Sequence, residues 1–136
     1  MAMGLICAQS DWVHAKSKGD FVGIVAFDLS AAFDTVDSVK LITKLQQAGI
    51  EGRQLEWFKS YMSGRLQSVL WDDKMSSSCS LTHGVPQGSI LGPLLFLLMI
   101  ADLPNYVISD MESAKMMCYA DDCNMCVHAK SLDVLK

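Results

Sequence analysis

The stretch CYADDCNMCV, residues 118 to 127, sets two adjacent aspartates, Asp121 and Asp122, inside an apolar run rich in β-formers. Neighbouring carboxylates repel each other unless a cation stands between them. A third acid, Asp28, ends another such run, FVGIVAF at 21–27. If the two elements pair side by side, the three carboxylates meet at one edge of a sheet. Oxygens of this kind suit Mg²⁺, which keeps coordination positions open for phosphates. Two such ions can position and neutralise the oxygens of an in-line phosphoryl displacement. A plain turn is the competing reading, because aspartate accepts turn geometry. From YADD alone the two readings weigh equally. WDDK at 71–74 reads as a turn of the plain kind.

Other reactive side chains offer less. Cys123 and Cys126 form a C-x-x-C with no second ligand pair, and residues three apart in a strand face opposite sides, so zinc is not supported. His14, His83 and His128 have no partner at triad or metal spacing and read as structural. Five cysteines, odd in number and irregularly spaced, point to free thiols and an intracellular setting, nucleus or cytoplasm. No apolar run is long enough for a bilayer; the longest, Ile90 to Ala101, contains Gly-Pro and reads as a buried helix, so no membrane partner is expected. The first residues lack the basic start of a secretory signal. At 136 residues, 51% apolar and 19% charged, the chain is expected to form one globular domain rather than a disordered one. Its net charge of −4, with Arg53 and Arg65 as the only arginines, gives no basic face for free-standing nucleic-acid binding.

The positioning elements follow from periodicity. Leu5, Ala8, Trp12 and Ala15 have helical spacing over 4–17, and SKGD at 17–20 breaks the helix. FVGIVAF has no helical period and reads as a buried strand. Asp37 or Ser38 can cap a helix through Leu41, Ile42, Leu45 and Ala48 that stops at Gly49. Leu55, Phe58 and Met62 mark a second helix ended by Gly64. A strand at 66–71, a turn and a returning strand at 75–81 make a hairpin. HGVPQGS is a Gly/Pro loop, and a helix follows from Gly92 to Asp102, with loop from Pro104 on. Residues 115–120 and 123–129 read as strands joined tightly at Asp121–Asp122, with Met116, Met117 and Met125 in the core and Tyr119 packed beneath the hairpin. Residues 131–136 begin a further element. The sum is an α+β fold, an antiparallel or mixed sheet with helices on one face.

Three stretches in order break the tie over YADD. FDLSAAFDTVD (27–37), GVPQGSILGPLLF (84–96) and YADD (119–122) resemble motifs A, B and C of reverse transcriptases, most of all those of animal non-LTR retrotransposons. EWFKSYMSGRLQSV (56–69) extends the resemblance, which covers most of the chain. It implies a polymerase palm across 1–136, with truncated fingers and no thumb. It implies an RNA-directed DNA polymerase that uses two Mg²⁺ ions, with Mn²⁺ as an alternative, an RNA template, a DNA primer and dNTPs. Asp28 would bridge both metals, Leu29 would lend a backbone carbonyl, and Asp121 and Asp122 would supply the motif C carboxylates, Asp121 the more direct. Phe33 would block the 2′-hydroxyl of a ribonucleotide, although without the family core packing is the favoured reading. Gln87 would contact the incoming nucleotide, with Pro86 and Gly88 shaping its loop, and Gly84 and Gly88 would let backbone approach nucleic acid. Asp34 and Asp37 are expected to serve local structure.

The chain departs from the pattern in places. Ala31 stands where many relatives carry lysine, Ser38 where histidine often follows TVD, and CNMCV where Thr and aliphatics are common. Only 27 residues precede Asp28 and 14 follow Asp122, too few for complete fingers or a thumb. The basic surfaces are then expected elsewhere, and the isolated chain is expected to bind nucleic acid weakly and not to extend primers. A non-catalytic remnant of a decayed element, with at most weak metal binding, is the alternative. Phe33 and YADD disfavour an RNA-dependent RNA polymerase.

Overall fold

A computed structural model describes residues 2–109 and 113–135. In chain order the elements are α1 (Ala2–Ser17), β1 (Phe21–Asp28), α2 (Ser38–Gln47), α3 (Gly52–Met62), β2 (Leu66–Gln67), β3 (Leu70–Trp71), β4 (Lys74–Met75), β5 (Cys79–Ser80), α4 (Gly92–Ile100), α5 (Leu103–Ile108), β6 (Ala114–Tyr119), β7 (Asp122–Ala129) and a 3₁₀ turn, Leu132–Leu135. They fall into two compact units, one made of Met1–Ser30 with Ala101–Lys136, the other of Ala31–Ile100. The architecture is mixed α/β with antiparallel sheets.

The first unit is built on a three-stranded antiparallel sheet in the order β1-β7-β6. Its register runs from Phe21 opposite Ala129 to Asp28 opposite Asp122. On the other side of β7, Tyr119 faces Asp122. Helix α1 is tied to the sheet by Lys115 Nζ to Asp11 Oδ2 at 2.9 Å. Where β1 begins, Asp20 takes Lys130 at 2.5 Å and His128 Nδ1 at 3.7 Å. His128 therefore has an acidic partner that its spacing did not suggest. The lysine hydrogen bond holds the Asp20 carboxyl below its usual value against the opposing effect of burial.

Four expectations for this unit need correction. β1 is not buried: Phe21, Ile24 and Val25 are about half exposed. A β-branched run specifies a strand, but burial depends on the layers around it, and β1 is an edge strand of this sheet. Met116, Met117 and Met125 are half-buried rather than core, and Tyr119 is 59% exposed. The stretch after Pro104 is not all loop, because Pro104 sits in the first turn of α5, where a missing N–H costs nothing. The side chains of Leu5 and Ala8, and residue 136, lie outside those described.

The second unit holds most of the fully buried side chains. Leu41 and Leu45 of α2, Leu55 and Met62 of α3, and Leu95 and Phe96 of α4 are buried together with Val36 and Val85. Helix α2 starts where expected: the Asp37 carboxylate accepts from Val39 N at 2.8 Å and Lys40 N at 3.1 Å. It ends in a Schellman arrangement, with Gly49 at φ +85°, Gly49 N donating to Gln46 O and Ile50 N to Leu45 O. Lys44 Nζ donates to the Met99 carbonyl, linking α2 to the end of α4. The expected hairpin over 66–81 exists as two short ribbons, β2 with β5 and β3 with β4. Val69 N bonds Ser76 Oγ, and the Ser68 and Ser78 hydroxyls bond each other, which interrupts the ladder between the ribbons. Asp72 and Asp73 both take positive φ, so WDDK is a type I′ turn, as its sequence suggests.

Candidate active site

In the first unit, the paired strands bring two of the three aspartates face to face. Leu29 N donates to the Asp121 carbonyl at 3.2 Å, which marks Leu29–Asp121 as a hydrogen-bonded rung. The adjacent rung, Asp28 opposite Asp122, is then of the close-set kind, with Cα atoms about 4.5 Å apart and side chains on one face. Both aspartates are exposed. Like charges directly opposite destabilise a ladder. Four rungs back, on the same face, lies Ile24, opposite Cys126, where Asp11 and Trp12 of α1 partly cover the sheet. The carboxylate end lies beyond that cover.

Asp121 sits in the turn. The strands are joined by a two-residue loop, Ala120–Asp121, and Asp122 is already the first residue of β7. The turn expected at Asp121–Asp122 is thus one residue earlier, because the ladder continues through Asp122. Ala120 takes φ +52°, while Asp121 keeps negative φ, the pattern of a type II′ turn whose first position favours glycine. Asp121 is half-buried, and its carbonyl holds Leu29.

Behind the tip, Cys123 is buried opposite Cys118. Burial first, then the hydrogen bond with Cys118 and the nearby acids, pushes the Cys123 thiol up to about 12, so it stays a neutral filler. The thiols of Cys79, Cys118, Cys123 and Cys126 are free. Among the described residues no three His, Cys, Asp or Glu side chains gather around one point. Mg²⁺, however, is commonly held by one or two carboxylates plus substrate phosphates. An exposed facing pair of carboxylates has the donor chemistry for that mode.

The second unit carries the other expected site residues. Phe33 is half-buried with its ring 4.6 Å from that of Phe96, so packing against α4 holds it in place. The loop from Gly84 to Ser89 is joined to the segment around Phe33 by Gly84 N to Val36 O at 2.7 Å and Val85 N to Phe33 O at 2.8 Å. Gly84 has φ +94°, and a Cβ there would stand 3.1 Å from Asp34 Cα, so its bare backbone serves contact within the protein. Gly88 has open space around it. Pro86 is half-buried, and its carbonyl accepts from Ser89 Oγ at 2.6 Å. Gln87 is exposed, and its Nε2 donates to Asp34 Oδ1 at 2.8 Å. Asp34 is therefore not confined to local structure. The sequence held no signal for this bond, because 53 residues separate the partners. A cavity of about 610 Å³ opens beside this pair and is lined also by Arg65, His83 and Pro86.

Comparison with known proteins places the chain in a family. The profile described as reverse transcriptase (RNA-dependent DNA polymerase) matches residues 5–135. The chain is 32% identical over 117 residues to a probable RNA-directed DNA polymerase from transposon X-element of Drosophila melanogaster, covering 86% of the chain and 13% of that protein. It is 33% identical over 113 residues to the RNA-directed DNA polymerase from mobile element jockey of Drosophila funebris, covering 81% and 12%. It is 35% identical over 113 residues to a probable RNA-directed DNA polymerase from transposon BS of Drosophila melanogaster, again covering 81% and 12%. The chain thus spans about one eighth of the length of these relatives. With the ordered stretches around Asp28, Gln87 and Asp121–Asp122 inside the matched region, the chain belongs to the reverse transcriptase family, and its relatives are polymerases of non-LTR retrotransposons.

Proposed function

We propose that this chain carries the palm-centred part of an RNA-directed DNA polymerase, which adds dNTPs to a primer 3′-hydroxyl on an RNA template. The observation that carries the proposal is the Asp28–Asp122 rung, two exposed carboxylates set opposite each other beside the Asp121 turn. Such a rung opposes folding on its own and becomes favourable around a divalent cation. Asp28, Asp122 and Asp121 would hold two Mg²⁺ ions, or Mn²⁺ in their place, with the Leu29 carbonyl as a further oxygen. Bound there, the ions would activate the primer hydroxyl and stabilise the leaving pyrophosphate oxygens.

The chain's own residues would do the rest. Asp28 and Asp122, fixed by the β1–β7 ladder, set where the reacting phosphate lies. Phe33, whose ring packs on Phe96, would take the role of the aromatic that blocks a ribonucleotide's 2′-hydroxyl. Gln87 contacts the incoming nucleotide, with Pro86 and Gly88 shaping its loop.

The test is RNA-templated primer extension by a full-length polymerase carrying these residues. Asp28→Asn is expected to reduce the rate about a thousandfold or more, several kcal/mol of transition-state stabilisation, with the melting temperature not lowered. Extension at the parent rate would remove the assignment.

A further inference from the structure

We infer that Asp34 is a positioning residue that fixes the orientation in which the Gln87 amide meets the incoming nucleotide. The inference rests on the reading of Gln87 as a nucleotide contact. A glutamine amide has two nearly isosteric ends, one donating and one accepting, and rotation by half a turn exchanges them. A carboxylate accepts and does not donate, so the Gln87 atom 2.8 Å from Asp34 Oδ1 is Nε2. The same bond leaves the carbonyl end, Oε1, as the acceptor presented to a ligand. Among the described residues this is the one hydrogen bond of the Gln87 side chain.

The partners are held at this separation by backbone rather than by burial. Gly84 N to Val36 O and Val85 N to Phe33 O bracket Asp34 on one strand of chain and lead to Gln87 on the other. At Gly84 the two backbones approach so closely that a Cβ would crowd both Phe33 and Asp34. Phe33 and Asp34 are adjacent, so the residue proposed to judge the sugar and the one proposed to orient Gln87 move together. The pair borders the 610 Å³ cavity, which is in the size range of small-ligand sites. A charge-assisted hydrogen bond is about twice as strong as a neutral one, which suits a bond that must hold although both side chains are exposed.

The experiment is dNTP kinetics of RNA-templated extension by a full-length polymerase carrying these residues. It compares the parent with Asp34→Ala, Asp34→Asn, Gln87→Ala and the double variant Asp34→Ala/Gln87→Ala. Gln87→Ala is expected to raise the dNTP KM about tenfold, the scale of one lost hydrogen bond to a ligand. Asp34→Ala should raise KM several-fold with kcat within about twofold, and should add nothing once Gln87 is gone. Asp34→Asn keeps an acceptor without the charge, so its KM should fall between. It carries the same comparison if Asp34→Ala folds poorly. Additive effects of the two sites, or an unchanged KM in both Asp34 variants while Gln87→Ala raises it, would overturn the positioning role. An unchanged KM in Gln87→Ala would overturn the nucleotide-contact reading beneath it, and the inference with it.

Discussion

At the scale of single residues, the site combines repulsion and strain. Asp28 and Asp122 are set against each other on a close rung, and Ala120 beside them sits at φ +52°, a conformation costly for a residue with a Cβ. Backbone strain of this kind concentrates where a structure must aim particular groups, here the carbonyl of Asp121 and the carboxylate of Asp122. Ala120→Gly should therefore stabilise the chain by up to about 1 kcal/mol, read from the midpoint of denaturant unfolding, despite the extra freedom glycine gives the unfolded chain. A destabilised variant would mean that the Ala120 methyl makes contacts outweighing the strain. The sequence announced the acid pair but not its roles. Alternation within a strand put Asp122 on the ladder only once the turn was known to be Ala120–Asp121. The Asp34–Gln87 bond was beyond sequence reasoning, since nothing local to either residue points to the other.

At the scale of elements, legibility followed how local the determining physics is. Helix α2 was readable at both ends because its cap and its stop are single residues, Asp37 and Gly49, acting on neighbouring backbone. The WDDK turn was readable for the same reason. Helix α5 was missed because Pro104 signals both the end of one helix and the first turn of another. The exposure of β1 was missed because it depends on the strand's place at the sheet edge, not on its own residues. The cap of α2 yields a pH prediction. Hydrogen bonds from the Lys40 and Val39 amides hold the Asp37 carboxyl below its usual value, with desolvation acting the other way. A depressed carboxyl contributes stability above its unfolded value of 3.8, and the contribution is lost as pH falls through the lower folded value. Asp37→Asn, which keeps a capping oxygen, should melt below the parent at pH 6, and the difference should shrink as pH falls below about 4. A gap independent of pH would show that the charge of Asp37 is not what the helix uses.

At the scale of the whole chain, charge and surface set what it can do alone. It carries −4 overall, and Arg53 and Arg65 are its only arginines. Nucleic-acid affinity is dominated by neutralised phosphates, so RNA binding by these 136 residues should be no tighter than about 10⁻⁴ M at physiological salt and should weaken further as salt rises. Fluorescence anisotropy with a labelled single strand reads this directly, and micromolar binding would show a basic path that the sequence does not reveal. The exposed apolar side chains of Trp71, Met75 and Ile90, each more than 70% accessible, mark surface that a longer polymerase could cover. Among the described residues no helix is long and apolar enough to cross a membrane.

Whether the Asp28–Asp122 rung is a divalent-cation site can be read by titrating Mn²⁺ into the ¹⁵N-labelled chain and following paramagnetic broadening of its amides. Residues 27–29 and 121–123 are expected to broaden first, and Asp28→Asn to abolish this while leaving the rest of the spectrum in place. Broadening centred elsewhere, or unchanged at the rung in Asp28→Asn, would contradict it.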